Sequence, residues 1–315
     1  MPTPTKAKQD PTRQAGNRNK AAVAIRKRLR RAQRQVMALF ERVPYTVGRQ
    51  TVVVNATVPV YDYEITPEEL AALLAAVQSV ITDQLLETPL NRMPPQWWFQ
   101  PFVELPYRQG AAREIVEFNR LITQELVRTR TTLGSTTQRL DVAQVLRSPE
   151  YVQALDKVYV RNFQGMKSLS DRTATQVAQV IDAGIAAGKP ASEIADDIAK
   201  RFDVSRSSAE RTAVTEVNWA YNDARLDATE LAEQMSGLRA GVLHLSALLP
   251  GTRETHGERH GNGYTVAAQR QWWNTGANRI RCHCSTRTVL IDAEGRVIDA
   301  ELQEEIKLER EFFGK

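Results

Sequence analysis

The most regular pattern in the chain lies between Lys20 and Phe40, where Ile25, Leu29, Ala32, Val36 and Phe40 recur at three- and four-residue intervals. That period puts the five side chains on one stripe of an α-helix. Arg26, Lys27, Arg28, Arg30, Arg31 and Arg34 fill its other faces. Upstream, residues 1–19 are mostly Pro, Thr, Gln, Asn and Lys, a composition that cannot offset the entropy of ordering, so a disordered basic tail is expected there. Thr51–Val60 is rich in β-branched residues and predicts a short hairpin or extended segment. Thr66-Pro67-Glu68-Glu69 then supplies the N-cap, first-turn proline and acids of a helix running to about Leu86.

The prolines from Pro89 to Pro106 exclude a regular helix, yet Trp97, Trp98, Phe99 and Phe102 in that stretch carry too much aromatic surface for water. They call for a neighbouring helix or another subunit as cover. Helices are predicted over 111–130 and 148–165, joined by a polar hinge at Thr131–Thr137. Another opens at Ser170 or Asp171 and stops at Gly188-Lys189-Pro190. A short helix over Ala191–Phe202 follows. Ser207-Ser208-Ala209-Glu210 reads as the capping box of a longer one, with Ala213, Val217, Ala220, Ala224 and Leu231 as its stripe. Its Glu216, Asn222 and Arg225 fit a solvated face or buried bonding partners. After Gly237 the pattern is mixed: a strand at Gly241–Leu245, a short helix at Thr265–Trp272, a hairpin of Thr286–Asp292 with Gly295–Ile298, and a charged helical tail.

These elements give a mainly α fold: a helical body, a small α+β C-terminal unit and a basic N-terminal helical arm. The expected segments are a disordered tail (1–19), a basic amphipathic helix (20–45) and a helical region with a short β segment (46–150). A second helical region (151–236), the α+β unit (237–300) and the helical tail (301–315) follow. The longest apolar run, Leu70–Val77, is too short to span a bilayer, and nothing near Met1 resembles a signal peptide; a cytoplasmic origin is expected. The formal charge of +5 is uneven: residues 1–40 carry eleven Lys and Arg against Asp10, a sum of +10, so the remainder sums to −5. A segregated basic arm points to a polyanionic partner, nucleic acid before membrane. Without interleaved aromatics, the six basic side chains of residues 26–34 would neutralise phosphates of double-stranded DNA without reading bases.

All four histidines and both cysteines fall between His244 and Cys284. Shared coordination of a borderline metal is the commonest cause of such clustering. His256 and His260, four residues apart, can face one point, and Cys282 and Cys284 share one side of an extended strand. Those four would close a tetrahedral structural zinc site and supply folding free energy to a unit of small core. His244, on an apolar strand, reads as a core histidine, and His283 faces away from the thiols. The alternative is packing without metal, the cysteines as small hydrophobes.

Ala186-Ala-Gly-Lys-Pro-Ala-Ser-Glu-Ile-Ala195, the run from Arg211 to Arg225, Thr252-Arg253-Glu-Thr-His256 and Arg281-Cys-His-Cys284 together resemble the phage Mu F-like minor head proteins over about residues 160–292. An Asp that the family carries shortly before the Thr-Arg pair is replaced here by Leu248-Leu-Pro-Gly, and only about thirty residues follow Cys284. The resemblance implies a non-catalytic head-morphogenesis protein of a tailed phage. It would join the head near the portal protein, beside major capsid or scaffold protein, and aid packaging or ejection, with no membrane in the mature particle. The competing classes are a metal-dependent nuclease using His256, His260 and Glu258, and a sequence-reading DNA regulator.

Overall fold

A stripe of apolar residues becomes buried surface in helix α1 (Ala15–Phe40), where Ile25, Leu29, Ala32 and Val36 are wholly excluded from solvent. The computed structural model describes residues 10–53, 56–87, 97–128 and 139–313. α1 starts five residues earlier than its apolar period does, and the chain from Asp10 onward is structured rather than disordered. Polar contacts supply what large side chains would: Thr12, Gln14 and Arg18 are buried, Asp10 pairs with Arg18 at 2.8 Å, and Gln14 N donates to Thr12 Oγ1 at 3.2 Å. Residues 1–9 lie outside the described residues.

The chain forms two compact units, one from residues up to Lys20, Pro101–Tyr159 and Val214–Lys315, the other from Ala21–Gln100 and Val160–Ala213. In the second unit, β1 (Tyr45–Val53) and β2 (Ala56–Tyr63) make an antiparallel hairpin longer than the β-branched run. Helix α2 (Pro67–Leu86) carries the capping box between Thr66 and Glu69 and buries Val77, Ile81 and Leu85. The short apolar run is thus part of a 20-residue helix, which by length and composition alone is sufficient to cross a membrane. Trp97, Trp98 and Phe99 are buried within this unit. Both indole N–H groups donate to Leu85 O, at 3.3 and 2.8 Å, and the Arg28 guanidinium lies 4.3 Å from the Trp98 ring centre. Trp97, Trp98 and Phe99 are thus buried side chains and form no exposed patch, while Phe102 is half-buried.

Helix α3 (Pro101–Arg128) includes Pro106, against the expectation that prolines would exclude a helix. The lost N–H lies near the helix start, and burial of Val103, Tyr107, Ala111, Ile115, Phe118 and Ile122 along one stripe outweighs it. The expected hinge lies at 131–137, outside the described residues. A single turn, α4 (Val142–Val145), precedes two long helices. α5 (Pro149–Ala186) and α6 (Ala191–Ser236) each run unbroken where the local signals predict two helices. No glycine or proline interrupts 203–207, and burial passes through Phe202, Ser205 and Ala209, so Ser207 is an interior residue and no cap. Gly188 does end α5: its φ of +60° is left-handed, and a Cβ there would press on Val60 and the Tyr61 carbonyl.

In the first unit β3 (Ala240–Leu245) is the centre of a three-stranded antiparallel sheet, flanked by β4 (Gly263–Tyr264) and β5 (Ser285–Leu290). Helices α7 (Glu254–Glu258) and α8 (Val266–Asn274) fill the connection from β3 to β5. Val242 of β3 packs with Trp219 and Leu226 of α6 and with Trp273 of α8. Leu243 and Val289 pack with Ile306 of α9 (Ala300–Phe313), which makes the charged tail a covering helix. The hairpin expected after β5 contracts to an Ile291–Val297 bridge around Gly295.

α3 and α6 touch at Gly110, where a Cβ would strike the Tyr221 carbonyl oxygen. Gly110→Ala should therefore destabilise the fold by about 1–3 kcal/mol, the usual overpacking cost. Gly165→Ala, at a helical site with open space around it, should be stabilising by about 0.5–1 kcal/mol. Urea midpoints of the two variants against wild type check both signs.

Candidate metal centre

Antiparallel pairing of β3 with β5 sets His244 opposite Thr286, two residues from Cys284. The connection after β3 returns through α7, which brings His256 back to the same place. His244, His256 and Cys284 offer ligand atoms that all lie within 4.8 Å of one another, and all three residues are buried. Cys282 joins them: its Sγ, like that of Cys284, is 3.5 Å from His256 Nδ1. The group is two imidazole nitrogens and two sulfurs, a donor set for a borderline or soft metal.

Neighbours hold the remote nitrogen of each ring. Gln269 Nε2 lies 3.1 Å from His244 Nδ1, and Gln269 is itself oriented by Arg259 at 3.1 Å. Arg253 Nη1 lies 2.7 Å from His256 Nε2, and the same guanidinium donates to the carbonyls of Asn278 and Ile280. His244 Nε2 is buried and faces the Cys284 thiol, with no nitrogen or oxygen partner among the described residues, so its lone pair is open to a metal. A guanidinium only donates, so His256 Nε2 accepts and its neutral ring carries the proton on Nδ1. Ligation through Nδ1 requires the other tautomer, with the proton on Nε2 and Arg253 turned off it; the proton released on metal binding is the thiol proton held by Cys282, and its loss makes affinity rise with pH. The thiols share a proton: hydrogen bonding from Cys282 holds Cys284 well below its ordinary pKa against burial, with His244 and His256 adding to the effect, while the same bond and burial push Cys282 up. A cavity of about 230 Å³ borders the group, lined by Arg253, His256, Arg281 and both cysteines.

The expected ligand His260 is not in the group. Its Nδ1 accepts from Ser246 N at 3.0 Å, its Nε2 faces Glu309 at 3.6 Å, and burial pushes its pKa down. Spacing misleads here because α7 ends at Glu258, so residues 256 and 260 do not share a helical face. His244, read as a core histidine, takes its place. The available signal was pairing of the predicted 241–245 strand with the extended C-x-C segment, which brings His244 next to Cys284. His283 points elsewhere, within electrostatic reach of Arg18 and Asp10. Glu258 is exposed and His260 is directed away, so the three residues of a nuclease reading are not assembled.

On α1, Lys27, Arg30, Arg31 and Arg34 are exposed. Arg28 donates to Glu87 at 2.7 Å and to Gln84 O at 2.9 Å, and Arg26 lies 3.4 Å from Glu210. Asn222 and Arg225 of α6 are buried bonding partners and not a solvated face.

Residues 175–287 match the family described as Phage Mu protein F like protein. That span covers all of α6, β3 and β4, the first half of β5 and all four group residues. The resemblance read from the sequence is thereby supported for this region, and it points to phage head morphogenesis and association with the virion. No curated protein and no solved structure matches the chain.

His244→Ala should lower metal content and affinity by at least about tenfold, the scale on which even outer partners act. His260→Ala should leave both unchanged. Elemental analysis after dialysis distinguishes this from the ligand set that spacing suggests.

Proposed function

We propose that the protein is a non-catalytic minor head protein of a tailed phage, assembling on the portal side of the head, held together by a structural zinc and touching packaged DNA without base preference. The observation that carries this reading is the coincidence of the Mu F-like match with the buried His244, His256, Cys282, Cys284 group. Zinc suits the two-nitrogen, two-sulfur set, and it would tie α7 to the chain entering β5, joining pieces that a small sheet secures weakly. Purified protein should carry about one zinc per chain.

DNA contact falls to the exposed cations of α1. Lys27, Arg30, Arg31 and Arg34 are open to solvent, whereas Arg26 and Arg28 are engaged with carboxylates. Residues 41–315 sum to −5, so that part of the chain is repelled by DNA and attraction rests on residues 1–40, chiefly this helix. The portal protein, with major capsid or scaffold protein, is the proposed neighbour.

Two experiments test the reading. Particles lacking this chain should be normal in shape but deficient in DNA content or infectivity, and tagged protein should localise beside the portal. Absence from finished particles, or DNA cleavage by the isolated protein that His256→Ala abolishes, overturns it. Binding to unrelated duplexes should be equal and should weaken with salt at a log–log slope of roughly −3.6 for four phosphate contacts. Replacing Lys27, Arg30, Arg31 and Arg34 with Gln should flatten that slope; retention of it would move the contact off α1.

A further inference from the structure

Two asparagines sit where α6 would ordinarily place apolar residues. Asn218 and Asn222 are one turn apart and almost wholly buried, at 2% and 3% exposure. Each donates its amide to the carbonyl of a cysteine: Asn218 Nδ2 to Cys282 O at 2.8 Å, and Asn222 Nδ2 to Cys284 O at 2.9 Å. Those cysteines lie just before β5, outside the strand ladder, so the asparagine amides serve carbonyls the sheet does not. One turn earlier, Thr215 Oγ1 accepts from Arg281 N at 3.1 Å, holding a residue whose φ of 50° is left-handed. The three side chains fix the backbone on which both sulfurs are mounted.

The other end of each amide is also committed. Asn222 Oδ1 accepts from Ser285 Oγ at 2.9 Å. Asn218 Oδ1 accepts from Arg18 Nη1 at 2.8 Å and from Thr12 Oγ1 at 3.5 Å. Arg18 in turn grips Asp10 at 2.8 Å. An amide bonded at both ends has one orientation, with its N–H groups toward the cysteine carbonyl. Losing the bond from Arg18 frees Asn218 to turn, and turning it withdraws the donor from Cys282 O.

We propose that Asn218 and Asn222 are positioning residues for the two thiols, and that through Asn218 the segment Asp10–Arg18 closes onto the same site, so that metal occupancy and closure of the segment favour each other. This rests on the metal reading above. By linkage the two effects must be equal: the factor by which closure strengthens metal binding is the factor by which metal strengthens closure.

The test uses the full chain and zinc. Affinity is measured by competition with a chromophoric chelator, and hydrogen exchange is followed at the Gln14 and Arg18 amides with and without metal. Asn218→Asp keeps the acceptor for Arg18 but loses the donor to Cys282 O; Asn222→Asp loses the donor to Cys284 O. Each should weaken zinc by about 10–100-fold. Arg18→Ala, far in sequence from any ligand, should weaken it about fivefold, with Arg18→Lys partly restoring it, and zinc should slow exchange at the Arg18 amide by a similar factor in wild type only. Wild-type affinity in both Asp variants overturns the positioning role while leaving the metal reading intact. Exchange that ignores zinc, with full affinity in Arg18→Ala, overturns the coupling. A wild-type chain that binds no zinc sinks the metal reading, and this proposal with it. If circular dichroism shows that an Asp variant does not fold, Arg18→Ala and the exchange measurement decide.

Discussion

A buried polar stripe along α6 is the constraint on which the first unit depends. Thr215, Asn218, Asn222, Arg225 and Thr229 recur at intervals of three and four, and none is more than 6% exposed. Each meets a specific partner: Arg281 N, Cys282 O, Cys284 O, the carboxylates of Glu114 and Glu117, and Thr288 Oγ1. A satisfied neutral hydrogen bond contributes only about 0.5–1.5 kcal/mol, whereas a buried group left without one costs about 1–3 kcal/mol. The stripe therefore acts less as glue than as register. A shift of the β5 chain along α6 would leave several groups unpaired together, which an apolar stripe would not penalise.

Arg225 shows the charged form of the same logic. Its Nη2 lies 2.7 Å from Glu114 and 2.6 Å from Glu117, so one buried cation serves two carboxylates, one fully buried and one partly exposed. Burial pushes Glu114 up, and Arg225 opposes it without prevailing; at Glu117 burial acts the same way, but the guanidinium prevails and holds the carboxyl low. The pair splits because Glu117 is partly exposed and Glu114 is not. Such an arrangement specifies which helix face of α3 meets α6 more than it adds stability.

Period and capping carry much of the fold in readable form. The α1 stripe, the Thr66 box and the Gly188 stop are local signals, and each appears where its chemistry requires. Local signals also divide the two long helices into four, because Ser170 and Ser207 resemble caps; nothing local reveals that burial continues through Ser205 and Ala209. The candidate site is half legible. Clustering of histidine and cysteine locates it, but the choice between His244 and His260 depends on strand pairing and on where α7 ends, and neither is a property of spacing. Asn218 and Asn222 are visible as polar residues on an apolar helix, yet their role requires knowing which carbonyls they face.

Arg18 and Asn218 stand 200 residues apart in sequence. During synthesis the segment Asp10–Arg18 is therefore made long before the helix that receives it, and the sulfur-bearing segment ahead of β5 comes later still. At ribosomal rates of about 5–20 residues per second, that interval is on the order of tens of seconds. Throughout it the segment's cations have no designated carbonyl or amide to meet, and closure of the site waits for the last third of the chain. A charged segment made early is thus among the last to be seated, which leaves a window in which a polyanion or chaperone competes for it.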